Sequence, residues 1–469
     1  MGSRIKQEVG KLFDIEPQER LKLFFLALLY FLVVGSYTIT RDLKSSIFLT
    51  VVGKEYIPWV KMISMFMLVP AILFYSQLVD RIRRYQLLIF YSIFFGVANL
   101  VFAYYIGHPT VGILNTDAHP WRLFGWFFYF FVEGYSPFIV SVFWALANSV
   151  TSPAEAKKNY GYMVAGSKLG GMATALLAWY LFSLSAKSVY PFLTHVVAHQ
   201  IILIVSTVFL TFVPIVALLF IKKVPGYMLH GYEAAYKAEK ERTVHHEKPR
   251  LGMLAGLDMF VRYPYVFGIF GMVFFYEVIS TVLGYLRLGV AQADSTSISD
   301  VSRVLFEIAL KTHFVGFFIS FFGTQALLAR LGVRICLLLV PFSIGIFLFY
   351  LVFETTPQSL INAFVAFQAF HYAFLMPVRE SLYLPTIKEI KFKSKSWIDA
   401  FGSKISKTTG SMFNVCAAKM GSGFMLPMHS FFFATMIGFW FILAFFLGRR
   451  FDQAIAKDEV IGVEKEDGE

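Results

Sequence analysis

Charged residues are scarce in this chain of 469 residues, in which Asp, Glu, Lys and Arg together make up 15%. A soluble globular protein carries about 25%. Cysteine is rarer still: the two present, Cys336 and Cys416, lie in apolar stretches and form no CxxC or metal-ligand spacing. The sequence therefore gives no support for a disulfide framework or a structural zinc site.

The motifs by which many enzymes are recognised are also missing. The sequence contains no HExxH, no GxxxxGK[ST] and no GxGxxG after a strand. It has no paired His/Asp or Ser/His arrangement at a spacing suited to an enzyme that acts on lipid phosphates. His245-His246-Glu247 stands alone in a charged segment and is interpreted as solvated, not metal-binding. We therefore expect a protein that is not an enzyme and needs no cofactor.

Apolar residues are abundant: the AVILMFWYC set makes up 57% of the chain, which includes 54 Phe. This composition indicates one polytopic, all-α membrane domain. Twelve runs are long enough to cross a bilayer core of about 30 Å at about 1.5 Å per residue. The eleventh is polar and is retained because eleven spans would break the alternation of loop charge. The runs cover residues 21–40, 57–78, 86–106, 123–147, 161–184, 199–221, 260–286, 305–328, 333–353, 358–383, 399–423 and 426–448.

The net charge of +12 is concentrated in alternate loops. Arg81-Ile82-Arg83-Arg84, Lys157-Lys158 and Arg449-Arg450 fall on one side, and loops 107–121 and 354–357 on the other side are nearly free of Lys and Arg. The positive-inside rule then predicts that both termini are cytoplasmic. The same distribution explains the positive charge without a nucleic-acid partner. The first residues resemble neither a cleaved signal peptide nor a transit peptide, which favours a bacterial inner membrane.

A segment rich in Lys, Glu and His, residues 222–259, divides the chain into two halves of six helices. We predict an N-terminal half over residues 1–221, a charged cytoplasmic linker over 222–259 and a C-terminal half over 260–448. Residues 449–469 are predicted to be a mobile cytoplasmic tail.

Charged residues inside the membrane follow a pattern. Runs three, six, nine and twelve have none in their central stretches, whereas the other eight have at least one in or near the span. A charge at bilayer depth costs about 2.5–3.5 kcal/mol on insertion scales, so it needs a partner, water or a ligand. The pattern resembles the major-facilitator arrangement, in which every third helix is peripheral and the others surround a cavity.

The first run ends with Tyr37, Arg41 and Lys44 at i, i+4 and i+7, so one helical face presents a ring and two cations. The alternative is that both cations reach the outer headgroups. Lys61 lies only a turn inside the second run and suits either interpretation equally. Glu133, near the centre of the fourth run, is harder to explain by packing and is either a counter-ion or a proton carrier.

The second half and the fifth run add further charges. Glu277 lies inside run seven, Arg379 in run ten, and Lys404 and Lys407 three residues apart in run eleven, while Lys168 lies in run five. Each could form an ion pair between helices. Together the cavity cations outnumber the carboxylates, which indicates a polyanionic ligand such as a phosphate ester. Pro137 and Pro377 can kink the fourth helix of each half and free backbone groups to line a cavity.

Several short motifs are similar to those of one known family, the nucleotide transporters typified by the ATP:ADP antiporters of intracellular bacteria and plastids. The matching motifs, in order, are Tyr37-Thr38-x-x-Arg41-Asp42-x-Lys44, Ile57-Pro58-x-x-Lys61, Phe143-Trp144-x-x-Ala147-Asn148, Glu277-Val278 and Glu380-x-x-Tyr383-x-Pro385. The resemblance implies a secondary transporter that moves nucleotides by exchange or with protons. It links Lys44, Glu133, Glu277 and Arg379 to nucleotide transport.

The resulting hypothesis is an alternating-access carrier whose partners are a nucleotide and the lipid bilayer, with protons as a further candidate. Arg41, Lys44, Lys61 and Arg379 would hold the phosphates, and the carboxylates would balance the charge of the empty cavity. Tyr37 and Trp144 are candidates for stacking on the base. The alternatives are a carrier of another phosphorylated metabolite and a non-transporting receptor or assembly protein. Base preference and oligomeric state stay open. The predicted substrate-binding residues are Tyr37, Arg41, Lys44, Lys61, Glu133, Asn148, Lys168, Glu277, Arg379, Lys404 and Lys407.

Overall fold

The computed structural model describes residues 17–151, 153–225, 262–293, 295–383, 385–387, 390, 394–420, 422–457 and 459–462. The predicted linker 222–259 lies outside the described residues from position 226 onwards, and His245-His246-Glu247 lies outside them too.

Each predicted apolar run corresponds to a helix in the described part of the chain. The first half contains α1 (Pro17–Val51), α2 (Ile57–Arg81), α3 (Arg84–Ile106), α4 (Leu123–Val150), α5 (Pro153–Ala186) and α6 (His195–Lys223). The second half contains α7 (Pro264–Ala293), α8 (Ile298–Phe321), α9 (Arg330–Phe353), α10 (Pro357–Ser381), α11 (Ser403–Ala418, preceded by helical turns from Lys395) and α12 (Ser422–Ala456). The chain bends near the start of α9 at Gly332, whose φ of 74° favours glycine.

Ten of these helices, counted over the described residues, are long and apolar enough to cross a membrane. The remaining two are α2 and α11, which pack against each other. α11 is a helix, as predicted, although it is the most polar of the twelve runs. The all-α membrane fold is therefore confirmed.

Among the residues that the structure describes, the two halves share one apolar core, and it lies at one end. We call the end at which α1 begins the basal end, and the opposite end the distal end. A distal core contains residues of both halves, such as Leu43 and Phe128 with Leu288 and Phe306. A second core is built only from α1 and α3 to α6, on the basal side, and a third only from the second half. The apolar seal between the halves therefore lies at the distal end.

Helix pairs close the sides of the space between the halves. α5 packs along α8, where the rings of Phe182 and Phe306 stack at 5.7 Å between centroids. Nearer the basal end the same two helices meet through Tyr162 and Phe321, at 6.1 Å. α2 packs against α11 on the other side. Between these contacts lie charged side chains of α1, α4, α7, α10 and α11.

Four π-helical turns lie in or next to the helices α4, α8, α10 and α11. The turns are Ser136–Val140 in α4, Ile319–Gly323 at the end of α8, His371–Leu375 in α10 and Ile398–Gly402 before α11. Pro137 lies in the first, and Pro377 follows the third by two residues. The predicted irregularities at these two prolines are therefore present. Such turns are common at functional sites, because one extra residue per turn redirects the side chains.

The predicted tail, residues 449–469, begins as a continuation of α12, which extends to Ala456. Beyond it, the backbone N–H of Ile461 donates to the carbonyl of Pro385 at 2.7 Å, and Arg450 holds Glu459 through two hydrogen bonds of 2.6 and 2.9 Å. The segment thus packs on the connection between α10 and α11. Residues 463–469 lie outside the described residues.

Candidate functional site

Glu133 joins the two halves at the centre of the molecule. Its Oε1 accepts a hydrogen bond from the Lys44 ammonium of α1 at 2.5 Å, and its Oε2 accepts one from Lys404 of α11 at 2.7 Å. All three side chains are at least 85% buried. A buried carboxylate of this kind is stable only when its charge is matched. Glu133 is therefore shared by one lysine from each half.

Glu277 of α7 forms a neighbouring pair within the second half. It accepts a hydrogen bond from the Ser403 hydroxyl at 2.8 Å, and Lys407 lies 3.8 Å from the same oxygen. Lys407 also interacts electrostatically with Glu133. The two carboxylates thus belong to one charged cluster, together with the two lysines that lie one turn apart on α11.

Arg379 lies at the basal side of that cluster. Its guanidinium is 3.0 Å from Asp399 and 3.7 Å from Glu380, and Glu380 also pairs with Lys395 at 2.5 Å. Arg379 interacts electrostatically with Glu277 as well. In this conformation the arginine is therefore neutralised by carboxylates that tie α10 to the start of α11.

Arg41 and Asp42 form a third group, with a partner that the sequence analysis did not identify. The Arg41 guanidinium pairs with Asp42 at 2.9 Å, and Arg287 of α7 approaches the other oxygen of Asp42 at 3.6 Å. Arg287 was missed because run seven was predicted to end at residue 286, whereas α7 extends to Ala293. A cation within the apolar stretch 285–290 was the available signal. This pair is a second electrostatic link between the halves, nearer the distal end.

Two lysines have no carboxylate partner within 4.0 Å in the described part of the chain: the partly buried Lys61 of α2 and the buried Lys168 of α5. Lys61 interacts electrostatically with Lys44, Glu133 and Lys407, and Lys168 with Arg41. The Lys168 ammonium lies over the ring of Tyr372, 4.7 Å from its centroid. Both lysines therefore add positive charge to the cluster without an ion pair of their own.

The structure brings together ten of the eleven predicted residues, with Arg379 at the edge of the cluster, and places Asn148 apart from them. Tyr37 stacks on Tyr135 at 5.4 Å beneath Arg41 and so belongs to the cluster. Arg379 lies at its basal edge. Asn148 is exposed near the basal end of α4, where it accepts a hydrogen bond from Tyr160, and it lies apart from the ion pairs.

The cluster carries more positive than negative charge. Within the described residues, nine cations face five carboxylates, which leaves four positive charges in excess. The cations are Arg41, Lys44, Lys61, Lys168, Arg287, Arg379, Lys395, Lys404 and Lys407, and the carboxylates are Asp42, Glu133, Glu277, Glu380 and Asp399. No group of three His, Cys, Asp or Glu in the same part of the chain could hold a metal ion. The arrangement is suited to a polyanion bound by ammonium and guanidinium groups.

Comparison with known proteins identifies related chains. Residues 3–123 and 120–451 match the family model described as TLC ATP/ADP transporter. The chain is 21% identical to the chloroplastic ADP,ATP carrier protein 2 of Arabidopsis thaliana, over 86% of this chain and 70% of that protein. It is 22% identical to ADP,ATP carrier protein 1 of Chlamydia trachomatis, over 96% and 92%, and 23% identical to ADP,ATP carrier protein 3 of Rickettsia typhi, over 85% and 87%.

Two solved transporter structures have a similar fold. The proton:xylose symporter XylE of the major facilitator superfamily has a TM-score of 0.59 and 12% identity, with 93% of this chain and 95% of that chain covered. The nucleoside transporter NupG has a TM-score of 0.52 and 16% identity, with 91% and 98% covered. At these identities the similarity shows the fold alone.

The charge sharing at Glu133 leads to a prediction about stability. Glu133→Gln is expected to lower the free energy of unfolding by about 3–5 kcal/mol, because two buried lysines lose their counter-ion. Thermal unfolding of the purified protein in detergent measures the change. The matched control, Glu307→Gln, removes the carboxylate of a partly exposed pair with Lys311 on α8 and should cost about 0–1 kcal/mol. Equal losses in the two variants would contradict the central role of Glu133.

Proposed function

This chain belongs to the TLC ATP/ADP transporter family, and on that premise we propose that it carries nucleotides, ATP and ADP among them, across a membrane by exchange. The observation that supports this proposal most strongly is the positive charge between the two halves, above all the unpaired Lys61 and Lys168. The phosphates of a nucleotide supply the missing negative charge. Lysine holds a phosphate as a point charge, and arginine holds it through two parallel hydrogen bonds.

Exchange follows from the cost of enclosing unmatched charge. Alternating access requires a state in which the cavity is shut off from water on both sides. Shutting an empty cavity with four excess positive charges would strip them of water without compensation, which costs several kcal/mol per ion. A bound nucleotide removes most of this cost. The carrier with bound nucleotide therefore changes conformation between the two sides of the membrane, whereas the carrier without nucleotide does not change until the next substrate binds.

The two carboxylates at the centre are suited to balancing the charge of the lysines around them. Glu133 is held by two lysines, and Glu277 by Lys407 and Ser403. The phosphates would then compete with Glu133 for Lys44 and Lys404 on binding.

We further propose that all twelve helices cross the membrane, with α2 and α11 shielded from lipid by each other and by their neighbours. The basal end carries most of the basic residues, such as Lys222 and Lys223 at the end of α6. By the positive-inside rule the basal end, with both termini, faces the cytoplasm. A bacterial inner membrane fits this orientation.

A transport assay with reconstituted protein tests the exchange. Radiolabelled ATP is expected to enter vesicles preloaded with ADP and to remain outside vesicles that contain only buffer, because the empty carrier does not return. Uptake of a sugar phosphate that ATP does not inhibit would favour a carrier of another phosphorylated metabolite. Equal uptake into loaded and empty vesicles would refute exchange, and no counterflow with any phosphate ester would refute transport.

Neutralising the unpaired lysines tests the site. Lys61→Gln and Lys168→Gln should each weaken ATP binding about tenfold to a hundredfold, because a hydrogen bond to a charged group contributes about 1.5–3 kcal/mol. The affinity is measured by titration calorimetry on the purified protein. Lys311→Gln, on the partly exposed face of α8, is the matched control and should bind ATP as the unmodified protein does. If all three variants bind equally well, the two lysines are not phosphate ligands.

A further inference from the structure

Tyr372 lies in the π-helical turn His371–Leu375 of α10, and its side chain contacts a different part of the protein from that of His371. The ring of His371 stacks on Tyr276 within the second half, at 3.3 Å between centroids and 5° between planes. The next ring, Tyr372, is only half-buried and meets Lys168, which belongs to the first half. Tyr372 therefore faces the space between the halves.

An aromatic wall lies on the first half, within electrostatic range of Tyr372. Tyr30 of α1 stacks on Phe143 at 4.3 Å with 6° between the planes, and its hydroxyl accepts a hydrogen bond from the Trp144 indole at 3.2 Å. Tyr372 interacts electrostatically with both Tyr30 and Tyr37, and with Arg41. Two aromatic surfaces, one from each half, thus adjoin the cationic cluster.

The exposed face of Tyr372 is covered by a cation whose charge is otherwise unmatched. The Lys168 ammonium lies 4.7 Å from the ring centroid, with no carboxylate within 4.0 Å among the described residues. The carbon stem of Lys168 packs against Gly316 of α8, where the Cε would lie 3.6 Å from an added Cβ. A cation over a ring is held far more weakly than a cation beside a phosphate. Lys168 is therefore ready to leave the ring when an anion enters.

We propose that Tyr372 is the stacking residue for the nucleobase, and that the base takes the ring face which Lys168 covers in this structure. The Lys168 ammonium turns at the same time from the ring to the phosphates. This inference rests on the proposed function and assigns the two chemically different ends of a nucleotide: phosphates on the cationic cluster, and a planar heteroaromatic base between Tyr372 and the Tyr30 wall. Stacking of this kind accepts every base, because each has a π face.

Binding of the base is distinguished from binding of the phosphates by comparing two ligands: ATP, which has both groups, and inorganic tripolyphosphate, which has no base. Calorimetric titration of both is performed on the unmodified protein and on Tyr372→Leu and Tyr372→Phe. Tyr372→Leu should weaken ATP about tenfold to a hundredfold, as the loss of one base–aromatic stack does, and leave tripolyphosphate unchanged. Tyr372→Phe, which keeps the ring, should bind both ligands normally. Tyr350→Leu, on the exposed face of α9, is the control for loss of a tyrosine.

Three results would overturn the proposal, and a fourth bears on its premise. Unchanged ATP affinity in Tyr372→Leu excludes stacking at this residue. Equal weakening of ATP and tripolyphosphate shows that Tyr372 acts by positioning Lys168 and does not hold the base. Weakened ATP binding by Tyr372→Phe shows that the hydroxyl, and not the ring, is recognised. If the unmodified protein binds tripolyphosphate but not ATP, the proposed nucleotide function itself fails. Melting temperatures of the variants verify that each is folded.

Discussion

The carboxylate of Glu133 is shared by two lysines that belong to different halves of the protein, Lys44 and Lys404. The first half pairs Glu133 with its own Lys44, but Lys404 of the second half has its carboxylate partner in the first half, and a buried charge without a partner costs several kcal/mol. The halves are therefore held together at the centre by charge, and at the distal end by an apolar core to which both contribute. The polar residues of α7, α10 and α11 that lie between the halves are explained only by this shared ion-pair centre.

The surplus of positive charge gives the centre its chemical character. Most of the cations have a carboxylate nearby, but Lys61 and Lys168 have none within ion-pair distance in the described residues. A protein does not retain buried, unmatched charge without a functional reason, since the charge lowers stability. A polyanion that binds and is released during transport provides such a functional reason. The excess positive charge lowers the stability of the protein without ligand and raises its affinity for the ligand. This also explains why exchange is favoured over return of the carrier without substrate.

Sequence patterns predicted the helices and the charged cluster well, for a physical reason. Apolar runs of about twenty residues have few alternatives to a membrane helix, and a Glu or Lys inside such a run must face a partner. The polar run of α11 was recovered in the same way, from the alternation of loop charge. Arg287 was missed because the end of an apolar run does not fix the end of a helix.

Other features depend on tertiary packing that sequence periodicity does not encode. The π-helical turn that presents Tyr372 adds one residue locally, which no regular period of 3.6 residues reveals. The segment 459–462 is held by backbone hydrogen bonds to Pro385 and Ile387, which depend on a neighbouring connection and not on its own composition. Asn148 matched a family motif but lies apart from the ion pairs, since a motif records order along the chain and not distance in space.

The central claim is that a nucleotide, by neutralising the cavity, permits a movement that the empty protein does not make. The most direct measurement is the distance between spin labels at Gln86→Cys and Gln453→Cys, exposed basal positions on α3 and α12, after Cys336 and Cys416 are replaced by serine. The account predicts one distance distribution for the empty protein and a second, shorter one that appears only with ADP or ATP. Identical distributions with and without nucleotide would contradict it.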